Sequence, residues 1–290
     1  MLAIMDLHQY IGTREAADLL EVGESTIKRW ADQGILPVNR TVGKHRKILL
    51  SDLVRVADEL NLPRAKLERL LNDRPIDTTN LETLAEQFHA GLIVGENQRT
   101  TSLLREAHAA GHRIARIGDD VICPAMMRIG QNWQSGTIDI YHEHRGTQNC
   151  LAAVQSLRAL LPAADRNAPL ALGGGPEGDH YQLANLLVEL TLLEEGWQVD
   201  NLGPNLPHDS FVRAIRERRP RLVWLSCSHL ADVELFVKGF AQLYAAANEV
   251  GAAVTVGGRA LGADIRRRLT FTHHGDTLGH LATYAHGLRR

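Results

Sequence analysis

Cysteine is scarce in this chain: Cys123, Cys150 and Cys227 are scattered and odd in number. That excludes a disulfide framework and suits a reducing compartment, and the lack of any C-x-x-C pair excludes the usual structural zinc site. Long apolar runs are missing too; none approaches the roughly 18 residues needed to span a bilayer. The opening MLAIMDLHQY has no basic stretch ahead of an apolar core, so no secretory leader is expected and the chain reads as soluble and cytoplasmic. Net charge is small, −2, which excludes a wholly basic nucleic-acid coat but not a local basic surface. The remaining composition, 44% hydrophobic and 23% charged, is that of a globular protein. Its 290 residues suffice for two or three domains with their own cores.

The charge is unevenly placed. From Thr26 to Leu50 six basic residues (Lys28, Arg29, Arg40, Lys44, Arg46, Lys47) face one acid, Asp32, a local charge of +5. Just before it, Thr13 reads as the cap of a short helix, Arg14–Leu20, with Ala16, Ala17, Leu19 and Leu20 on its apolar face. Gly23 breaks that helix. A second runs from Glu24 or Ser25 to about Asp32 and is ended by Gly34, which makes a helix-turn-helix. Ser25, Thr26, Lys28 and Arg29 fall on its exposed face, where such side chains meet base edges and phosphates, while Ile27 and Trp30 point inward. The following VNRTVGKHRKILL reads as a hairpin whose tip, Lys44, His45, Arg46 and Lys47, is placed to touch a phosphate backbone. The run TREAADLLEVGESTIKRWADQGILPVNRTVGKHRKI resembles the winged-helix heads of MerR-type and excisionase-type regulators over about residues 10–72, with a further helix at Ser51–Leu60. The resemblance implies double-stranded operator DNA as a partner and more than one copy of the chain, a dimer or tetramer. This head is assigned to residues 1–74.

Asn61–Arg74 is a further helix and Arg74–Thr79 a linker. Beyond it, residues 77–163 show helical periodicity and almost no strand signal. Leu81, Leu84, Ala85 and Phe88, then Leu103, Leu104 and Ala107, then Val121, Ala125, Met126 and Ile129, then Cys150–Leu161, predict a four-helix bundle. Met126 and Met127 read as packing residues. Trp133 followed ten residues later by Glu143 and His144 stands out, because a buried carboxylate and imidazole need partners.

From residue 168 to 290 strands alternate with helices. Strands are expected at Pro169–Gly173, Gln198–Leu202, Leu222–Ser226 and Ala252–Val256, with helices at His180–Glu195, Pro207–Arg218 and Val233–Asn248. That is a doubly wound parallel sheet, which binds ligands at the carboxyl ends of its strands. The Gly-rich first loop, GGGPEGDHYQL, lacks both the Lys-Ser/Thr of a P-loop and the spacing of a dinucleotide fingerprint, but it presents His180, a candidate metal ligand.

Two resemblances tie these parts together. The Trp133…Glu143-His144 spacing is similar to the helical cap of CarH-type, light-sensing cobalamin regulators, in which the Trp covers the upper corrin face and the Glu-His pair faces the adenosyl group. The run PEGDHYQL, then LSCS, then VGGRA resembles the cobalamin-binding domain of corrinoid proteins, which implies a Rossmann-like fold. By that resemblance His180 is the lower axial ligand of cobalt, with Glu177 and Asp179 beside it. Ser226 or Ser228 contacts the displaced dimethylbenzimidazole tail, and Gly257 and Gly258 let it approach the backbone. The family's Asp-x-His-x-x-Gly and Ser-x-Leu patterns are departed from at Gly178, Leu183 and Ser228. A carboxylate two residues before the histidine, which would orient the imidazole, is thus missing. Gln134 stands where CarH-type proteins carry a histidine that ligates cobalt after photolysis; His142 and His144 are the nearby substitutes.

Taken together the resemblance covers nearly the whole chain. It implies a non-enzymatic transcription regulator, a repressor, that binds adenosylcobalamin and releases DNA when light cleaves the cobalt–carbon bond. Two alternatives stand beside it: a light-independent or cobalamin-free repressor that answers another ligand or a protein partner, and a corrinoid methyltransferase subunit. The last has no use for a basic winged helix.

Overall fold

A computed structural model describes residues 10–40, 45–63, 66, 76 and 78–289. The wing tip including Lys44 and most of the helix expected over Asn61–Arg74 lie outside the described residues, as does the greater part of the linker that follows.

The head opens with strand β1 (Tyr10–Gly12), followed by helices α1 (Thr13–Leu19) and α2 (Glu24–Asp32), strands β2 (Asn39–Arg40) and β3 (Arg46–Leu49), and helix α3 (Leu50–Glu59). β3 lies between β1 and β2 in an antiparallel sheet, so the expected wing hairpin is present. Ala16, Leu20, Ile27, Leu36, Ile48 and Leu53 are fully buried together, whereas Trp30 only packs along the edge of this core. The cap of α1 is Gly12, not Thr13. Thr13 instead donates its hydroxyl to Glu24 Oε1 at 2.7 Å, fastening α1 to the first turn of α2.

The bundle comprises α4 (Leu81–Val94), α5 (Asn97–Ala109), a long bent helix and α8 (Ile140–Leu157). The bent helix starts as α6 (Ile114–Ile117), passes through a π-helical turn (Gly118–Ile122) and continues as α7 (Cys123–Gln134). Asn80 caps α4 by accepting from the amides of Glu82 and Thr83. Asp139 and His142 form a reciprocal capping box on α8. The core is built from Phe88, Leu92, Leu103, Leu104, Val121, Ile129 and Val154. Met126 packs against it, but Met127 is exposed and is not a packing residue. The fourth helix begins at Ile140, well before the apolar run at Cys150, because its first turns are polar and carry no periodic signal.

The last region is a five-stranded, all-parallel sheet in the order β5-β4-β6-β7-β8. Its elements are β4 (Leu170–Gly174), α9 (Leu183–Glu194), β5 (Gln198–Asn201), α10 (His208–Arg218), β6 (Leu222–Ser226), α11 (Val233–Val250), β7 (Ala253–Gly257), the short α12 (Ala263–Arg266), β8 (His273–Gly275) and α13 (Leu278–Arg289). Winding reverses at β4, whose neighbours β5 and β6 lead off in opposite directions, so the ligand crevice of this topology opens there. Sequence periodicity does not show β8 and α13, since a three-residue strand of His-His-Gly has no apolar alternation. α9 starts at Leu183 rather than His180, which leaves the histidine in the loop.

The bundle is docked on the sheet. Leu187 and Leu190 of α9 share its core. Glu194 accepts from the amide of Ile114 and from Arg113 Nε, each at 3.0 Å. Asp119, in the π turn, accepts from the amides of Leu278 and Gly279 at the start of α13, both at 2.9 Å. Among the described residues no helix is long and apolar enough to cross a membrane.

Candidate cobalamin site and DNA face

The loop after β4 is held in place by backbone and carboxylate bonds. The amide of Gly175 donates to Gly203, and its carbonyl accepts from Leu206. Asp179 is completely buried; one carboxylate oxygen accepts from the Tyr181 amide (3.0 Å), the other from the amides of Ser228 (2.6 Å) and His229 (3.1 Å). Asp179 therefore staples the His180 loop to the loop after β6 and does not serve as the orienting acid beside the imidazole. Arg259, from the loop after β7, donates to the carbonyl of Ser228 (3.1 Å) and lies 4.9 Å over the ring of Tyr181. Three strand-end loops thus converge, and His180 stands exposed on the crest, its ring without a hydrogen-bond partner among the described residues. Glu177 is exposed and 3.8 Å from His208 Nδ1. His208 itself cannot replace His180: its ring lies near Phe236 and against Gly239, and its Nε2 is buried without a partner.

Beside the crest a cavity of about 160 Å³ runs between α9, β6, β7 and the β8–α13 turn. Ser226 and Thr255 are buried in its wall, with Gly257 and Gly258. Gly258 has φ +106°, and a Cβ there would meet the carbonyl oxygen of Cys227 at 2.3 Å, so only glycine fits this wall. Ser228 is outside the cavity and holds the loops together instead. Sequence reasoning missed Asp119 and Cys123, which close the cavity from the bundle side. No local signal marks them, because they arrive from another region. Burial and the neighbouring Asp119 carboxylate push the Cys123 thiol up to about 11, so it faces the cavity uncharged.

In the last turn of α7, Trp133 is 45% exposed, which a core tryptophan would not be. Glu143 accepts from the Thr147 hydroxyl (3.0 Å) and lies 3.6 Å from Nε2 of the exposed His144. Neither bonds to the His180 loop. His142 is buried, and its Nδ1 accepts from the Asp139 amide within the capping box, so it is not available as a ligand; His144 is.

On the head, Ser25, Lys28 and Arg29 are exposed and Thr26 is half-buried. Lys28 pairs with Glu24 at 3.0 Å, and the Thr13 hydroxyl and Lys28 together hold the Glu24 carboxyl below the usual range. His45 is exposed and Lys47 half-buried on the wing. Arg46 departs from its expected role as a phosphate contact. Its guanidinium bonds Asp32 (2.5 Å) and the carbonyl of Lys28 (3.2 Å), bracing the wing against α2.

Three family models match in succession: a helix-turn-helix domain over residues 10–61 and B12 binding domains over 84–158 and 154–275. Along most of its length the chain is similar to the HTH-type transcriptional repressor CarH of Myxococcus xanthus, 27% identical over 84% of this chain and 87% of the relative. The chain is a cobalamin-binding, DNA-binding regulator similar to CarH. CarA of the same organism is 23% identical over 73% of this chain and 75% of its own length. Corrinoid proteins are similar as well. A dimethylamine corrinoid protein of Methanosarcina acetivorans is 25% identical over 50% of this chain and 68% of its own length. The solved monomethylamine corrinoid protein of Methanosarcina barkeri superposes over 72% of this chain and 100% of its own with a TM-score of 0.61 at 16% identity, a likeness of fold.

The residues of this chain fit the group that its B12 binding domains bind. A partnerless imidazole stands at the crest, and a glycine-walled cavity lies beside it. An exposed indole sits at the cap. On the DNA side, Lys28→Ala and Arg29→Ala are expected to weaken operator binding, and a lost phosphate contact lowers the salt slope by about one. Arg46→Ala is expected to weaken binding without that drop in slope, since it removes a brace and not a phosphate contact. Fluorescence anisotropy across a salt series checks this; an Arg46→Ala slope reduced by one returns Arg46 to the phosphate set.

Proposed function

We propose that this chain is a transcriptional repressor that binds operator DNA through its winged helix and adenosylcobalamin between bundle and sheet, releasing DNA in the light. The observation that carries the reading is the exposed Trp133 with Glu143 and His144 in a chain that also has a partnerless His180 and a DNA-binding head. His180 would hold the cofactor from below, while Ser226, Thr255, Gly257 and Gly258 receive its nucleotide tail. Trp133 would cover the upper face and exclude water, and Glu143 and His144 would bind the adenosyl group. Bound, adenosylcobalamin supplies a photolabile cobalt–carbon bond; that chemistry belongs to the cofactor. Illumination then removes the contacts made by the cap residues, and the assembly shifts by the differential binding energy lost. The chain itself performs no catalysis in this reading.

One observation favours a second reading. Gln134, next to Trp133, offers an amide where a histidine would complete a light-induced state, so the chain could sense cobalamin without light. Illuminating the adenosylcobalamin complex while following size, operator binding and visible spectrum separates the two. A spectral change with simultaneous loss of assembly and DNA binding is the expected result; photolysis that leaves size and DNA affinity unchanged selects the light-independent sensor.

A further inference from the structure

The residue after the Glu143-His144 pair is Arg145, on the same first turns of α8. Its guanidinium does not point at the candidate ligand site. Nη2 donates to the carbonyl of Ile93 at 2.6 Å, in the last turn of α4, and the guanidinium carbon lies 6.0 Å from the centroid of the Tyr141 ring. A cation against the carbonyl end of a helix complements its dipole. The packing here is close: α4 ends in Gly95 at φ +89°, and a Cβ there would meet Arg145 Nε at 3.1 Å. One residue on, Gly146 also faces α4: a Cβ there would lie in ordinary contact, 3.7 Å, with the carbonyl of Leu92.

α4 is also the helix that carries the head. Leu84, Phe88 and Leu92 lie in the bundle core, whereas Ala90 and Val94 are buried in the head's own hydrophobic core with Val54, Val56 and Ala57 of α3. The end of α4 held by Arg145 is therefore the end that seats the DNA-binding head. A shift of the first turns of α8 cannot leave this seat untouched, because packed interfaces adjust between discrete arrangements and do not stretch.

We propose that Arg145 is a positioning residue that couples occupancy of the cap to the pose of the DNA-binding head, through the carbonyl end of α4. The proposal rests on the reading that Glu143 and His144 face a bound ligand. It places an intramolecular route to the DNA face beside whatever assembly of copies contributes.

The test compares the full chain with Arg145→Gln and with Val94→Ala, which loosens the seat from the head side. Operator affinity is measured by anisotropy in the dark, with and without adenosylcobalamin. Hydrogen exchange is followed at residues 90–95 and 50–57. The parent is expected to show a ligand-dependent change in operator Kd within the usual range of about 5- to 150-fold. Both variants are expected to bind the cofactor within about 2-fold of the parent, while their ligand-dependent ratio falls toward one. Ligand-dependent protection then stays at residues 140–146 but is lost at 90–95 and 50–57. A merely structural role for Arg145 would lower stability and leave the ratio in place. A parent that is coupled, with both variants coupled to the same degree, overturns the relay and leaves the proposed function standing. A parent whose operator affinity ignores the cofactor overturns the proposed function and the relay with it.

Discussion

His180→Ala is expected to lose bound cobalamin on desalting, and any remaining complex to lose the spectrum of a histidine-ligated corrinoid. Affinity should fall at least about 10-fold, the lower end of what removal of even an outer partner costs a metal site. The expectation is large because His208 cannot take over. His208 is the closest substitute in sequence terms, but its Nε2 is sealed beneath Phe236 and α11, so His208→Ala should leave the spectrum unchanged. His229 is exposed, and its backbone amide is tied to Asp179. An unchanged spectrum in His180→Ala removes His180 as the ligand and passes the role to His229.

Asp179→Ala is expected to destabilise the sheet domain strongly. Three backbone amides, of Tyr181, Ser228 and His229, converge on a carboxylate with no solvent exposure. Alanine leaves all three part-buried donors without their acceptor. An unsatisfied buried group costs about 1–3 kcal/mol and bonds to a charged partner are at the strong end, so a loss of roughly 3 kcal/mol is expected. Asp179→Asn keeps one acceptor oxygen and should fall between. Urea unfolding followed by tryptophan fluorescence reports on this domain, because Trp197 and Trp224 are fully buried within it. The same variant should also bind cobalamin more weakly although Asp179 is not placed against it, since the crest that presents His180 loses its anchor. Parent-like stability in Asp179→Ala would show that the staple carries no energy.

Much of this was legible in the chain. Helix-turn-helix, wing, bundle and alternating strands each announce themselves by local period and by glycine or proline breaks, and each is present in the expected order. Errors of detail fell where local signals compete. Thr13 looks like a cap residue, but the preceding Gly12 takes the extended conformation a cap requires, and Thr13 turns to Glu24. His142 looks like a free imidazole, but the capping box of α8 claims it.

What the sequence by itself determined is the inventory: a basic winged head, a helical cap carrying Trp133 and Glu143-His144, and a parallel sheet with His180 at a strand end. Those follow from patterns confined to a few turns or strands. Only the tertiary structure decided the assignments. It put Asp179 on amides 49 and 50 residues away, chose Ser226 over Ser228 for the cavity wall, and closed that cavity with Asp119 from a helix 159 residues before the turn it caps. It also spent Arg46 on a brace and Arg145 on the carbonyl end of α4. A charged side chain's partner is set by which backbones packing brings within about 3 Å of it, and local periodicity carries no record of that.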